Sequence, residues 1–184
     1  MAINLQKGEK QSLQGLTKIK IGLGWNPNEG VGNKFDLDAS IFMLNSGKKV
    51  PTDGHFIFYN NLISPDGGVE HKGDNRDGDG DGDDEVVMVD LNKMGAAVEE
   101  ILFVVTIHDA ATRKQNFGQV RNSYIRIVDD SNGTEIMKYE LDEDFSVETS
   151  IEFGRLYKRN NEWKFEASGI GYKEDLGFFT NRYC

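Results

Sequence analysis

Apolar and polar residues alternate with period two along much of the chain. Lys18-Ile19-Lys20-Ile21-Gly22-Leu23 shows the pattern plainly, and Phe35, Leu37, Ala39 and Ile41 repeat it around Asp36, Asp38 and Ser40. A strand with one buried face requires this alternation, because successive side chains point to opposite faces. Further strand-like runs lie at 55–59, 86–91, 101–107, 123–128, 135–141, 151–157 and 162–167, about nine in all. The gaps between them are short and rich in residues that tolerate positive φ, such as Ser131-Asn132-Gly133 and Arg159-Asn160-Asn161, so hairpins and antiparallel pairing are expected. Residues 101–107 are apolar on both faces, as in a central strand covered on two sides. Helical periodicity is confined to 92–100 and 175–183. The predicted fold is all-β: an antiparallel two-sheet β-sandwich with short peripheral helices, forming one domain over residues 1–184.

Composition narrows the function classes. The chain has 184 residues, 38% hydrophobic and 10% aromatic, enough for one domain with a sizeable core. Its formal net charge of −10 repels a phosphate backbone, so no nucleic-acid partner is expected. No run of about 18 apolar residues occurs, and residues 1–12 carry neither a secretory nor a transit pattern; a cytoplasmic protein with no transmembrane segment is the expectation. Cys184 is the single cysteine, which excludes an internal disulfide, a dithiol redox pair and a cysteine-based metal site.

The charge excess is concentrated in one place. Between Asp74 and Glu85 stand seven carboxylates, three glycines and a single cation, Arg76. Two unit charges about 5 Å apart in water repel by roughly 0.8 kcal/mol, so a compact loop of this composition needs cations. Calcium takes six to eight oxygen ligands, and Asp at alternate positions with intervening Gly lets a short loop wrap a hard ion. Asp77-x-Asp79-x-Asp81-Gly82 fits the first half of an EF-hand loop, but Met88 stands where the bidentate Glu belongs and the flanks read as strand and loop. No His or Cys lies in the segment, which disfavours zinc, copper and nickel, and magnesium prefers fewer protein ligands. A solvated acidic loop is the plain alternative. Outside the segment, Asp36 and Asp38 share one face of a strand, and Asn60 in Asn60-Asn61 offers an amide oxygen.

Gly22-Leu23-Gly24-Trp25, Phe35-Asp36-Leu37-Asp38-Ala39-Ser40, Phe58-Tyr59-Asn60-Asn61 and the acidic segment together resemble the TerD family of tellurium-resistance and general stress proteins. The likeness continues through Phe103-Val104-Val105-Thr106-Ile107-His108, Phe117-Gly118-Gln119-Val120, Tyr124-Ile125-Arg126 and Trp163-Lys164-Phe165, covering nearly the whole chain. The resemblance implies a calcium-binding β-sandwich with two Ca2+ ions, acting with other stress-response or tellurite-resistance proteins. The family motif G-D-N-x-x-G-x-G-D-G-D-D-E maps onto Asp74, Asn75, Asp81, Asp83, Asp84 and Glu85, with Asp36 and Asp38 from the earlier motif. Asp77 and Asp79 fall on its variable positions and enter the candidate set through the EF-hand likeness instead. Asn26 stands where the family often has Asp.

The rival class is an enzyme. His108 beside Asp109 at a strand end has the elements of a base with its orienting carboxylate, which makes a metal-assisted hydrolase one alternative and a nucleotide or other small-ligand binder another. No G-x-S-x-G nucleophile motif, histidine-rich metal site or phosphate-binding loop is present. Direct reduction of tellurite calls for thiols or a redox cofactor, and one terminal cysteine supplies neither a resolving partner nor a cofactor pocket. The sequence therefore reads as a non-catalytic, calcium-ordered scaffold or sensor.

Overall fold

A computed structural model of the chain describes residues 3–79, 82–141 and 145–184. In chain order its first strands are β1 (Ile3–Asn4), β2 (Lys10–Ser12), β3 (Lys18–Gly24), β4 (Leu37–Leu44), β5 (Phe56–Ile57) and β6 (Val69–His71). They are followed by β7 (Glu85–Asp90), β8 (Glu100–Ile107), the short helix α1 (Ala110–Arg113) and β9 (Tyr124–Asp129). The remaining elements are β10 (Thr134–Glu140), β11 (Ser150–Arg159), β12 (Glu162–Glu166), β13 (Ile170–Tyr172) and α2 (Leu176–Tyr183). Two sheets result, in the orders β1-β10-β9-β3-β7-β6 and β2-β12-β11-β8-β4-β5, with β13 also on β11.

The alternating strands behave as their pattern requires. Ile19, Ile21 and Leu23 of β3 and Leu37, Ala39, Ile41 and Met43 of β4 enter the same core between the sheets. β8 feeds both sides: Ile101, Phe103 and Val105 join that core, while Leu102 and Val104 face outward against Phe42, Leu44, Phe179 and Tyr183. The outward cluster explains why 101–107 carries no polar face: α2 lies over it, started by Asp175, whose side chain accepts from the Phe178 amide. Tyr183 then donates its hydroxyl to the buried Glu152 carboxylate at 2.7 Å, which fixes the end of the helix to β11.

Three expectations are corrected. Pairing is antiparallel except at the N-terminus, where β1 runs parallel to β10 in the register Ile3↔Met137 and Asn4↔Lys138. Residues 55–59 do not form one strand. A 3-10 turn at Asp53–His55 precedes the two-residue β5, and Phe58 and Asn61 then close a tight turn through reciprocal backbone bonds of 3.0 and 2.9 Å. Residues 92–100 hold no α-helix; a 3-10 turn at Leu91–Lys93 ends there, and the Gly95 amide is taken by Asp66 Oδ2 at 2.8 Å instead.

The acidic segment connects β6 to β7, neighbouring antiparallel strands of one sheet, so it is the loop of a long hairpin. β5 covers β4 only at Ile41 and Phe42. The first residues of β4 are therefore open on that edge, and the hairpin loop reaches across from the other sheet to meet them.

Candidate functional site

Asp36 and Asp38 continue the outward face of β4 that further along carries Phe42 and Leu44. At the strand start they are nevertheless buried, 7% and 6% exposed, because the hairpin loop closes over them. Asp74 completes a trio: one carboxylate oxygen from each of Asp36, Asp38 and Asp74 lies within 4.8 Å of the others. The Asp74 residue is exposed mainly through its backbone, its side chain being 21% exposed. Asp36 Oδ1 is buried and has no hydrogen-bond partner among the described residues.

The surroundings raise the cost of charge here. Burial pushes the Asp38 carboxyl up to about 8, and Glu85, Asp36 and Asp74 add to the rise. Asp36 is raised by burial and by Asp74, partly offset by His108, Arg113 and Arg76. Carboxylates whose ionised forms are disfavoured by burial and by one another are stabilised when a cation joins them.

Glu85 ties the loop to the opposite sheet. It opens β7 with its side chain on the core face, 2% exposed, and its Oε2 accepts the Ala39 amide at 2.7 Å, the amide that β5 is too short to pair. His71 Nε2 lies 3.4 Å from the same oxygen, and His71 Nδ1 accepts the Gly73 amide at 3.2 Å. That acceptance places the imidazole proton on Nε2, facing Glu85. Burial still raises the Glu85 carboxyl against these hydrogen bonds, and Oε1 is unpartnered among the described residues.

Among the described residues, the other loop carboxylates fall outside the trio. Asp84 Oδ2 accepts the Trp25 amide at 2.8 Å and Oδ1 accepts Asn75 Nδ2 at 3.1 Å. Asn75 Oδ1 in turn accepts the amides of Asp77 and Gly78, and Asp77 Oδ1 accepts the Asp79 amide, a chain of local turns within the loop. Gly78, at φ 72°, passes so close to the Trp25 ring that a Cβ would meet it, while Trp25 Nε1 donates to Phe35 O at 3.1 Å. Trp25 thus links the loop to the approach of β4. Asp83 points across the outer face of β3 to Arg126, over Gly22, where a side chain would occupy the space of its carboxylate. Asn60 is exposed in its turn, and Tyr59 rather than Asn60 lines the cleft above the trio. Asp81 lies outside the described residues.

Two guanidinium groups and an imidazole surround the trio. Arg113 Nη1 is 3.7 Å from Asp36 Oδ2, Arg76 Nε is 3.0 Å from Asp74 Oδ2, and His108 Nδ1 is 3.6 Å from Asp38 Oδ2. His108 Nε2 stands 3.5 Å from Asp109, too far for a well-formed hydrogen bond. Arg113 escapes sequence reading altogether. It sits on α1, just after β8, and reaches the site only because β8 pairs with β4 in the register Leu37↔Ile107.

The oxygen-only donor set, the buried unpartnered Asp36 Oδ1 and the mutual repulsion fit a hard divalent cation and offer nothing to a soft one. Among the described residues, no helix is long and apolar enough to cross a membrane.

Comparison with known proteins identifies the family. Residues 1–183 match the TerD domain. The chain is 49% identical over 187 residues to the tellurium resistance protein TerD of Serratia marcescens, covering 100% of this chain and 97% of that protein. It is 47% identical over 188 residues to general stress protein 16U of Bacillus subtilis, with 100% and 97% covered. The crystal structure of a homologue of a telluride resistance protein (TerD) from Streptomyces coelicolor superimposes with a TM-score of 0.76 at 18% identity, over 90% of this chain and 96% of that one, and so shares the fold. From a domain match over almost its entire length and close likeness to full-length relatives, the chain belongs to the TerD family.

Proposed function

We propose that this chain is a calcium-binding, non-catalytic protein of the tellurite-resistance and stress-response type, a scaffold or sensor whose loop end is ordered by the ion. The observation that carries this reading is the convergence of Asp36, Asp38 and Asp74, one carboxylate oxygen of each lying within 4.8 Å of the others, with Asp36 Oδ1 buried and unpartnered among the described residues. Three carboxylates gathered where burial and mutual repulsion disfavour charge are stabilised by a cation, and an all-oxygen donor set suits calcium better than a softer ion. The names of the relatives, a tellurium resistance protein and a general stress protein, support the biological setting.

Asp36, Asp38 and Asp74 would hold one ion, and Glu85 would keep the loop against β4 beside it. A second ion, implied by the family resemblance, would draw on Asp81 and Asp84 of the motif, with Asp77 and Asp79 offered by the EF-hand likeness. The chemistry supplied by such an ion is charge neutralisation: the loop settles onto the end of the sandwich and presents one defined surface to other stress-response proteins.

Calorimetric titration of the chelator-treated full chain with calcium tests the proposal. Saturable binding is expected, together with a stabilisation of about 2.7 kcal/mol per site at roughly 100 times the dissociation constant. Absence of heat at millimolar calcium, with identical melting temperatures in calcium and chelator, would leave only a solvated acidic loop.

A further inference from the structure

The cleft above the trio is walled by as many fixed cations as carboxylates. Lys34, Arg76 and Arg113 line it together with Asp36, Asp38 and Asp74. These six formal charges cancel. A divalent ion seated among the carboxylates leaves the same wall with two positive charges in excess, beside an opening of ≈ 340 Å³. Arg113 is 24% exposed, and the Arg76 side chain is 81% exposed, so both can present guanidinium edges to something in the cleft as well as to Asp36 and Asp74.

We propose that this cleft takes a small oxyanion of the phosphate monoester class, one oxygen joining the shell of the bound ion and the others held by Arg113, Arg76 and Lys34. The proposal rests on the calcium reading of the trio. An excess of two charges matches a dianion, and guanidinium forks match the geometry of phosphoryl oxygens. Calcium also accepts more oxygens than three carboxylates provide unless each binds through both of its own. The chain's net charge of −10 favours a small ligand over a polyanionic one, whose distant phosphates would be repelled.

The test uses phenyl phosphate, whose calcium salt stays in solution, titrated into the full chain by calorimetry and followed by phosphorus NMR. Calcium alone is titrated in parallel. The calcium-loaded protein should bind the probe, and chelation should weaken binding by at least about tenfold. Arg113→Gln should weaken the probe by about tenfold while leaving calcium bound as tightly or more tightly, because a positive charge has been removed from beside the cation. A merely structural role would weaken both together, and that result would overturn the assignment. Arg76→Gln, at an exposed side chain, gives the same readout should Arg113→Gln fail to fold. Normal calcium uptake with no heat and no phosphorus shift at about 10 mM probe would remove the anion site and leave the calcium reading standing. Probe binding that survives chelation would overturn the ion-bridged geometry, and absence of calcium uptake would overturn both readings.

Discussion

Asp83 and Arg126 form a two-point fork on the outer face of the β3 sheet, Nε to Oδ1 at 2.7 Å and Nη2 to Oδ2 at 3.0 Å. Lys20 Nζ stands 3.5 Å away, and the Tyr124 hydroxyl donates to Oδ1 at 3.2 Å, so a side chain only 4% exposed is surrounded by donors. The fork lies across Gly22 and pins the returning arm of the acidic loop to its own sheet.

Asp83→Asn should therefore lower stability by about 1–2 kcal/mol, since a charge-assisted, partly buried pair is replaced by a neutral one. The loss should be equal in calcium and in chelator, read by differential scanning calorimetry. A loss confined to the calcium samples would instead place Asp83 in the ion's shell.

Asp38→Asn separates stability from binding in the opposite direction. A carboxyl raised to about 8 by burial and by its neighbours Glu85, Asp36 and Asp74 is unfavourable when ionised and unpaired. The variant should melt higher than the native chain in chelator, yet bind calcium at least about tenfold more weakly. A variant that melts lower in chelator and binds calcium normally would show that Asp38 holds the strand rather than the ion.

Asp66 contributes to the acid limb of stability. Burial pushes its carboxyl upward, but bonds from the Ser64 hydroxyl and from the Gly95 and Gly68 amides outweigh that and leave it below the ordinary value of 3.8. A group depressed in the folded state adds stability above its unfolded pKa, lost as pH falls through the folded one. Asp66→Asn should lower stability at pH 7 by about 1 kcal/mol and flatten the stability profile below about pH 4. Parallel profiles for the two proteins in urea denaturation across that range would refute this role.

How much of this was legible depended on whether a feature is local. Long strands announce themselves, because Ile19, Ile21 and Leu23 or Leu37, Ala39 and Ile41 must alternate to share a core. The two-faced apolar run of β8 likewise signalled its cover, although only the structure identifies that cover as α2. β1, β2, β6 and β13 are two or three residues long, too short for a period to register, and the parallel pairing of β1 leaves no local trace. At the candidate site, Asp36, Asp38 and Asp74 were visible as chemistry, but their meeting depends on a hairpin of one sheet crossing to a strand of the other. The bonds of Asp83 with Arg126 and of Asp84 with the Trp25 amide belong to the same long-range order, as does the approach of Arg113, and no spacing rule reports them.

The bond from the Ala39 amide to Glu85 has a consequence for how this protein fails. With β5 ending at Ile57, that carboxylate is the cover over the uncapped stretch of β4, and a strand stripped of its cover is a template for a foreign strand. Glu85→Ala should accordingly self-associate under mild heating before its secondary structure is lost, seen as light scattering ahead of the circular-dichroism transition; coincident transitions would refute it. Sealing the end of the sandwich thus guards an open strand edge against other copies as well as anchoring the loop.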